Sequence, residues 1–163
     1  MKNIGIVGNG FVGGAVAFGF SPSTGYESKI RIYDKDIDRA THSLEEVVTL
    51  SDFIFVSVPT PSNSDGSINI SILQSVISEI SSIESKKGSN AIVLVRSTVL
   101  PGTTRELSEN FPNLNLVFNP EFLTERSANF DFISQTRFIL GGEAKHTEKV
   151  ATLYRNRFGS TLS

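Results

Sequence analysis

The chain contains no cysteine. Disulfides, thiolate metal sites and thiol catalysis by its own side chains are therefore excluded. Histidine is scarce as well: His42 and His146 lie far apart and carry no metal-ligand spacing, so no metal site is expected and both are expected at the surface. There is no excess of charge. Fifteen Lys and Arg against 17 Asp and Glu leave a formal net charge of -2, which gives no bulk electrostatic case for nucleic acid or an anionic membrane. No apolar run is long enough to span a bilayer. The first residues, MKNIGIVGNG, enter a strand pattern at once and lack a signal-peptide layout, so a cytoplasmic location is expected. What is present is ordinary for one globular domain over 1–163: 39% hydrophobic and 20% charged residues, enough to build a sizeable core.

Apolar, β-branched runs alternate with helical patterns. Strands are predicted at Asn3 to Val7, Lys29 to Tyr33, Phe53 to Val58, Ala91 to Val95, Leu114 to Phe118 and Arg137 to Leu140. Helices are predicted at Phe11 to Phe20, Ser43 to Leu50, around Ile70 to Ile80, Thr103 to Asn110 and about Thr147 to Arg157. Ser43 and Glu46 have capping-box spacing. This alternation, with nearly continuous apolar strands, predicts an α/β Rossmann-type doubly wound sheet, mainly parallel, with helices on both faces.

Gly8-Asn-Gly10-Phe-Val-Gly13 matches G-x-G-x-x-G. It follows a strand and opens a helix, the context in which that pattern cradles a pyrophosphate. A glycine-rich turn without a ligand is the bland alternative. Asp34 closes the second strand slightly more than twenty residues on, where a carboxylate accepts bonds from ribose hydroxyls and repels a 2′-phosphate. NAD is thus favoured over NADP. A surface turn aspartate is the other reading, and Lys35 or Arg39 could reach toward a phosphate. Arg39 could also lie over the adenine.

Ligands in open α/β sheets bind at the carboxyl ends of the strands. The predicted strand ends carry Val58-Pro59-Thr60-Pro61 with a later Asp65-Gly66, then Arg96-Ser97-Thr98-Val99 with Pro101-Gly102-Thr103, then Asn119-Pro120-Glu121-Phe122-Leu123-Thr124-Glu125. Read from the residues alone, two alternatives stand level: Glu121 and Glu125 belong to a site at the rim, or they are solvated loop acids with Phe122 anchoring the loop.

Taken together, these blocks resemble the N-terminal NAD-binding domain of the UDP-glucose/GDP-mannose dehydrogenase family. The family pattern is G-x-G-[YF]-V-G, V-P-T-P with D-G, S-T-V-x-x-G-T and N-P-E-F-L-x-E, in this order. UDP-glucose 6-dehydrogenase is the nearest activity. The resemblance implies that Gly8, Gly10, Phe11, Val12 and Gly13 hold the NAD pyrophosphate and that Asp34 and Arg39 serve the adenosine side. Val58, Pro59, Thr60 and Pro61 would line the groove. Ser97, Thr98 and Glu125 would lie near the nicotinamide. Thr98 would help hold a catalytic water, and Glu121 would assist proton transfer and hydrolysis. Glu121, Phe122, Leu123 and Thr124 would lie along a nucleotide-sugar substrate. Two departures stand out: Arg96 replaces a frequent lysine, and Arg126 follows Glu125 where a glycine is frequent.

Members of this family turn a primary alcohol into a carboxylate with two NAD. The resemblance implies a cysteine, lysine, asparagine and aspartate from a middle helix and a C-terminal domain, none of them expected in 1–163. Two functions therefore compete. One is the NAD-binding half of a nucleotide-sugar dehydrogenase, completed by a separate C-terminal half or a homo-oligomer. The other is a non-catalytic NAD-binding module or sensor. A complete small reductase is a weaker third, since no Tyr-x-x-x-Lys pair is present.

Overall fold

The computed structural model describes residues 1–159. Five strands run parallel: β1 (Lys2–Val7), β2 (Ser28–Tyr33), β3 (Phe53–Val56), β4 (Ile92–Val95) and β5 (Asn115–Phe118). A sixth, β6 (Gly141–Gly142), is antiparallel to β5, and the sheet order is β2-β1-β3-β4-β5-β6. The expected doubly wound sheet is present.

Strand periodicity divides the core. Ile4, Ile6, Phe53, Phe55, Ile92 and Leu94 face α1 (Phe11–Gly19), α5 (Ala128–Ser134) and α6 (Ala144–Phe158). Val7, Ile54, Val56, Val93 and Val95 face α2 (Leu44–Leu50), α3 (Ser71–Lys87) and α4 (Thr103–Asn110). Adjacent strand residues point to opposite faces, so the central strands β3 and β4, covered on both, are apolar throughout. The Ser43–Glu46 capping box forms as expected.

Three expectations need correction. No strand forms at 137–140. There the Ile139 carbonyl accepts from the Asn119 side chain at 3.0 Å, and Phe138 stacks on Tyr154 with centroids 3.8 Å apart. A side chain thus takes one carbonyl that a ladder would have used. Pairing begins only at the glycines, where a Cβ on Gly142 would stand 3.0 Å from the Leu116 carbonyl oxygen. The helix α5 is not expected from the pattern. It is seven residues long, and Ala128 and Phe132 are its only fully buried side chains, too few to show a period.

The third correction concerns His146, which is buried rather than at the surface. Its Nδ1 has no partner among the described residues, and Nε2 lies 4.0 Å from Glu143. Burial pushes its pKa below the ordinary value; the Lys145 and Lys149 ammoniums add to this and Glu143 opposes it. The unfolded chain then takes up the proton first as pH falls, so stability is full above the ordinary histidine pKa and declines below it. Thermal melts between about pH 7.5 and 5.5 should show a falling midpoint that His146→Leu flattens. An unchanged slope in that variant would remove His146 as the cause.

Candidate functional site

The β1–α1 turn is fixed by close backbone contacts. Gly8 has φ 90°, and a Cβ there would lie 2.5 Å from the Ser57 carbonyl oxygen. A Cβ on Gly13 would lie 1.9 Å from the Gly8 carbonyl oxygen. Gly10 differs: nothing lies within 4 Å of the place its Cβ would take. It caps α1 without a side-chain hydrogen bond, and the first turn holds no acidic residue. The helix therefore presents free N–H groups to open space, the arrangement that suits a pyrophosphate.

Asp34 lies beside this turn. One carboxylate oxygen accepts from the Asn9 backbone N–H at 2.6 Å and the other from the Asp36 N–H at 2.9 Å. Each oxygen keeps a further lone pair for an incoming hydroxyl. The Asn9 side chain donates to the Arg39 carbonyl at 2.9 Å, which ties the turn to the segment after β2. The Arg39 guanidinium is exposed and pairs with Asp36 at 3.4 Å. Phe11 is exposed and Val12 half-buried at the start of α1.

The other strand ends line up with the glycine turn. Backbone bonds join Ser57 to Val7, Arg96 to Val56 and Asn119 to Val95, each 2.8 or 2.9 Å long. Gly8, Ser57, Arg96 and Asn119 thus form one row at the carboxyl edge, and the chain leaves each of them onto the same rim. It crosses from β2 to β3 over β1, so the crevice opens beside the Gly8 turn.

Side chains stitch these segments together. The Ser97 hydroxyl accepts from the Val58 N–H at 3.1 Å and donates to the Val58 carbonyl at 2.7 Å. It uses up both backbone groups of Val58, which explains why β3 stops at Val56 and not at Val58. The Thr60 hydroxyl donates to the Thr98 carbonyl at 2.7 Å, while Pro59 and Pro61 withhold N–H groups. Pro59 and Pro61 are exposed, and Thr98 itself is exposed on the rim.

The last segment is more open. Glu121 is half-buried and accepts from the Leu123 N–H at 2.7 Å, leaving its second oxygen unengaged among the described residues. Phe122 is 70% exposed, so it does not anchor the loop; Leu123 packs on the core instead. Glu125 is exposed and opens a 3-10 turn, Glu125–Ser127. Asp131 of α5 grips this loop, accepting from the Thr124 N–H and the Ser127 hydroxyl, both at 2.9 Å. Beside it Phe122, Leu123, Asp131, Gln135 and Ile139 help enclose a cavity of about 350 Å³.

Four residues that hold the rim lie outside the set that the sequence marks as functional: Asn9, Asn119, Asp131 and Tyr154. Their signal is weak. Asn9 and Asn119 are polar residues next to strand ends, whereas nothing near Tyr154 in sequence points to the rim.

No helix among the described residues is long and apolar enough to cross a membrane, and none of their acidic and histidine side chains cluster as a metal site. A UDP-glucose 6-dehydrogenase of Campylobacter jejuni is 30% identical over 178 aligned positions, covering 91% of this chain and 44% of that protein. A UDP-glucose dehydrogenase structure from Pyrobaculum islandicum superposes with TM-score 0.82 at 26% identity, covering 96% of this chain and 44% of the other. A ternary complex of GDP-mannose dehydrogenase from Pseudomonas aeruginosa superposes at 0.76, with the same identity and coverage. The chain thus spans less than half the length of these relatives. Residues 35–157 match the NAD binding domain of the UDP-glucose/GDP-mannose dehydrogenase family, and the chain belongs to that family.

Proposed function

We propose that residues 1–163 are the NAD-binding half of a UDP-glucose 6-dehydrogenase-like enzyme, which oxidises the primary alcohol of a nucleotide sugar to a carboxylate. The observation that carries this reading is the rim: Ser97 and Thr60 tie two of the strand-end segments together on the edge that also carries the glycine turn and Glu121. NAD binding alone would not call for Thr98 and Glu121 at that edge.

NAD, when bound, supplies the hydride acceptor. In this reading Gly8 to Gly13 hold its pyrophosphate, Asp34 accepts from the adenosine ribose, and Val58 to Pro61 wall the groove. Ser97 and Glu125 flank the nicotinamide end. Thr98 orients a water with its hydroxyl. Glu121 takes a proton on the carboxylate oxygen that its own loop leaves free. Phe122, exposed beside the 350 Å³ cavity, offers an apolar face to the sugar nucleotide together with Leu123 and Thr124. The thiol must come from outside 1–163, since these residues include no cysteine. A separate C-terminal half and a cytoplasmic location belong to the same reading.

The purified chain, incubated with NAD and several nucleotide sugars, should give no acid product. Hydride transfer needs the alcohol held in a near-attack geometry, and a base such as Glu121 contributes only about 10²–10⁴-fold. Adding the C-terminal half of a relative should restore NADH formation, and Glu121→Gln should then remove it. Steady acid formation by the chain alone would overturn the half-enzyme reading. NAD binding with no restoration by any such half would favour the sensor.

A further inference from the structure

Three buried polar side chains meet directly beneath the rim. Arg96 is 2% exposed, Asn119 0% and Tyr154 1%. The Asn119 side-chain oxygen, Oδ1, accepts from Arg96 Nη1 at 2.7 Å and from the Tyr154 hydroxyl at 2.5 Å. Arg96 Nη1 also donates to the Tyr154 oxygen at 3.4 Å. The guanidinium sits 5.6 Å from the Phe132 ring centroid. Among the described residues Arg96 has no ion-pair partner, and its Nε has no hydrogen-bond partner.

A cation held this way is a poor stabilising device. Buried charge is costly, and apolar side chains of similar volume often serve a core as well or better. Its location offers a different reason for it. Arg96 immediately precedes Ser97 and Thr98. Asn119 immediately precedes Pro120 and Glu121, and its side-chain Nδ2 donates to the Ile139 carbonyl. Tyr154 enters from α6, its ring stacked on Phe138.

We propose that Arg96, Asn119 and Tyr154 form a buried brace that sets the Thr98 loop against the Glu121 loop and so shapes the nicotinamide end of the site. The inference rests on the reading of this rim as the NAD site. The three are positioning residues, because none of them reaches the open crevice. Burial pushes the Tyr154 phenol up to about 12, with the Arg96 charge acting against that shift, so the hydroxyl remains a donor to Asn119. The strand row gives the brace its leverage: Arg96 and Asn119 are the first residues beyond β4 and β5, each still held to the neighbouring strand by its backbone N–H, and the Thr98 and Glu121 loops leave the sheet just after them.

The test compares NADH with ADP-ribose, which shares the adenosine and pyrophosphate but lacks nicotinamide. Calorimetric titration of the purified chain gives both affinities. Tyr154→Phe removes one hydroxyl, and it should weaken NADH by about 3–10-fold, the scale of one hydrogen bond, while ADP-ribose changes by less than about twofold. Arg96→Lys keeps the charge but loses the planar fork, and it should lower the NADH to ADP-ribose ratio by about threefold. It carries the same comparison should Tyr154→Phe fail to fold. A ratio unchanged in the folded variants, or equal weakening of both ligands, overturns the brace alone. If the unaltered chain binds neither ligand, the rim reading itself falls and the brace's role with it.

Discussion

Gly13→Ala is expected to abolish cofactor binding and to destabilise the fold. The new Cβ would stand 1.9 Å from the Gly8 carbonyl oxygen, so the two must separate by more than about 1 Å to reach ordinary contact. Neither can yield easily. Gly13 is buried in the first turn of α1 against Ile6. Gly8 is held by its N–H to the Tyr33 carbonyl at 2.9 Å, and the Ser57 carbonyl crowds the side where its Cβ would stand. Overpacking costs about 1–3 kcal/mol in a well-packed core, and a backbone clash belongs at the upper end. For a domain of this size that lowers the melting midpoint by roughly 2–4 °C per kcal/mol. The binding loss is larger, because the turn proposed to cradle the pyrophosphate is the one that must move. Calorimetry and thermal melts check both effects. Gly10→Ala is the contrast: its Cβ meets open space, so the fold should be unaffected and only the ligand should notice. Unimpaired NAD binding by Gly13→Ala would remove the glycine turn from the site.

How much of this is legible in the sequence depends on the range of the interaction. The glycine turn, the five parallel strands and the Ser43 cap rest on neighbours in sequence, and the local pattern suffices for them. The strand ends converge because parallel strands in register must end together, so a common rim comes with the fold class. The grip of Asp131 on Thr124 needs α5, a helix too short to have a period. The brace joins Arg96 to Tyr154 across 58 positions, and no local rule pairs them. Tyr154 reads as an ordinary core position of an amphipathic helix, and only its hydroxyl contact distinguishes it. Phe122 carries two readings in the sequence, an anchor of the loop and a face toward a substrate; its exposure sets the anchor aside, because Leu123 packs inward in its place. His146 is the plain miss, since a lone histidine near lysines looks solvated until α6 is packed against the sheet.

Asp34→Asn should prove far from conservative. The carboxylate accepts from two backbone N–H groups with two different oxygens, Asn9 N–H at 2.6 Å and Asp36 N–H at 2.9 Å. An amide has one acceptor and one donor end. Whichever way it turns, an NH₂ group meets a backbone N–H, and the glycine turn loses its tether to the end of β2. The negative charge that would receive the ribose hydroxyls and repel a 2′-phosphate is lost as well. A hydrogen bond to a charged group is worth about 1.5–3 kcal/mol, so NAD affinity should fall by roughly 10–150-fold. NADP binding should fall less, since the substitution removes a repulsion while it loosens the turn, and the preference for NAD should shrink. Asp34→Ala should give a similar NAD loss without the donor clash and melt slightly higher than Asp34→Asn. Parallel titrations of NAD and NADP with all three chains decide the matter. A preference for NAD that survives in both variants would move ribose recognition away from Asp34 and leave it only the structural task of holding Asn9 and Asp36.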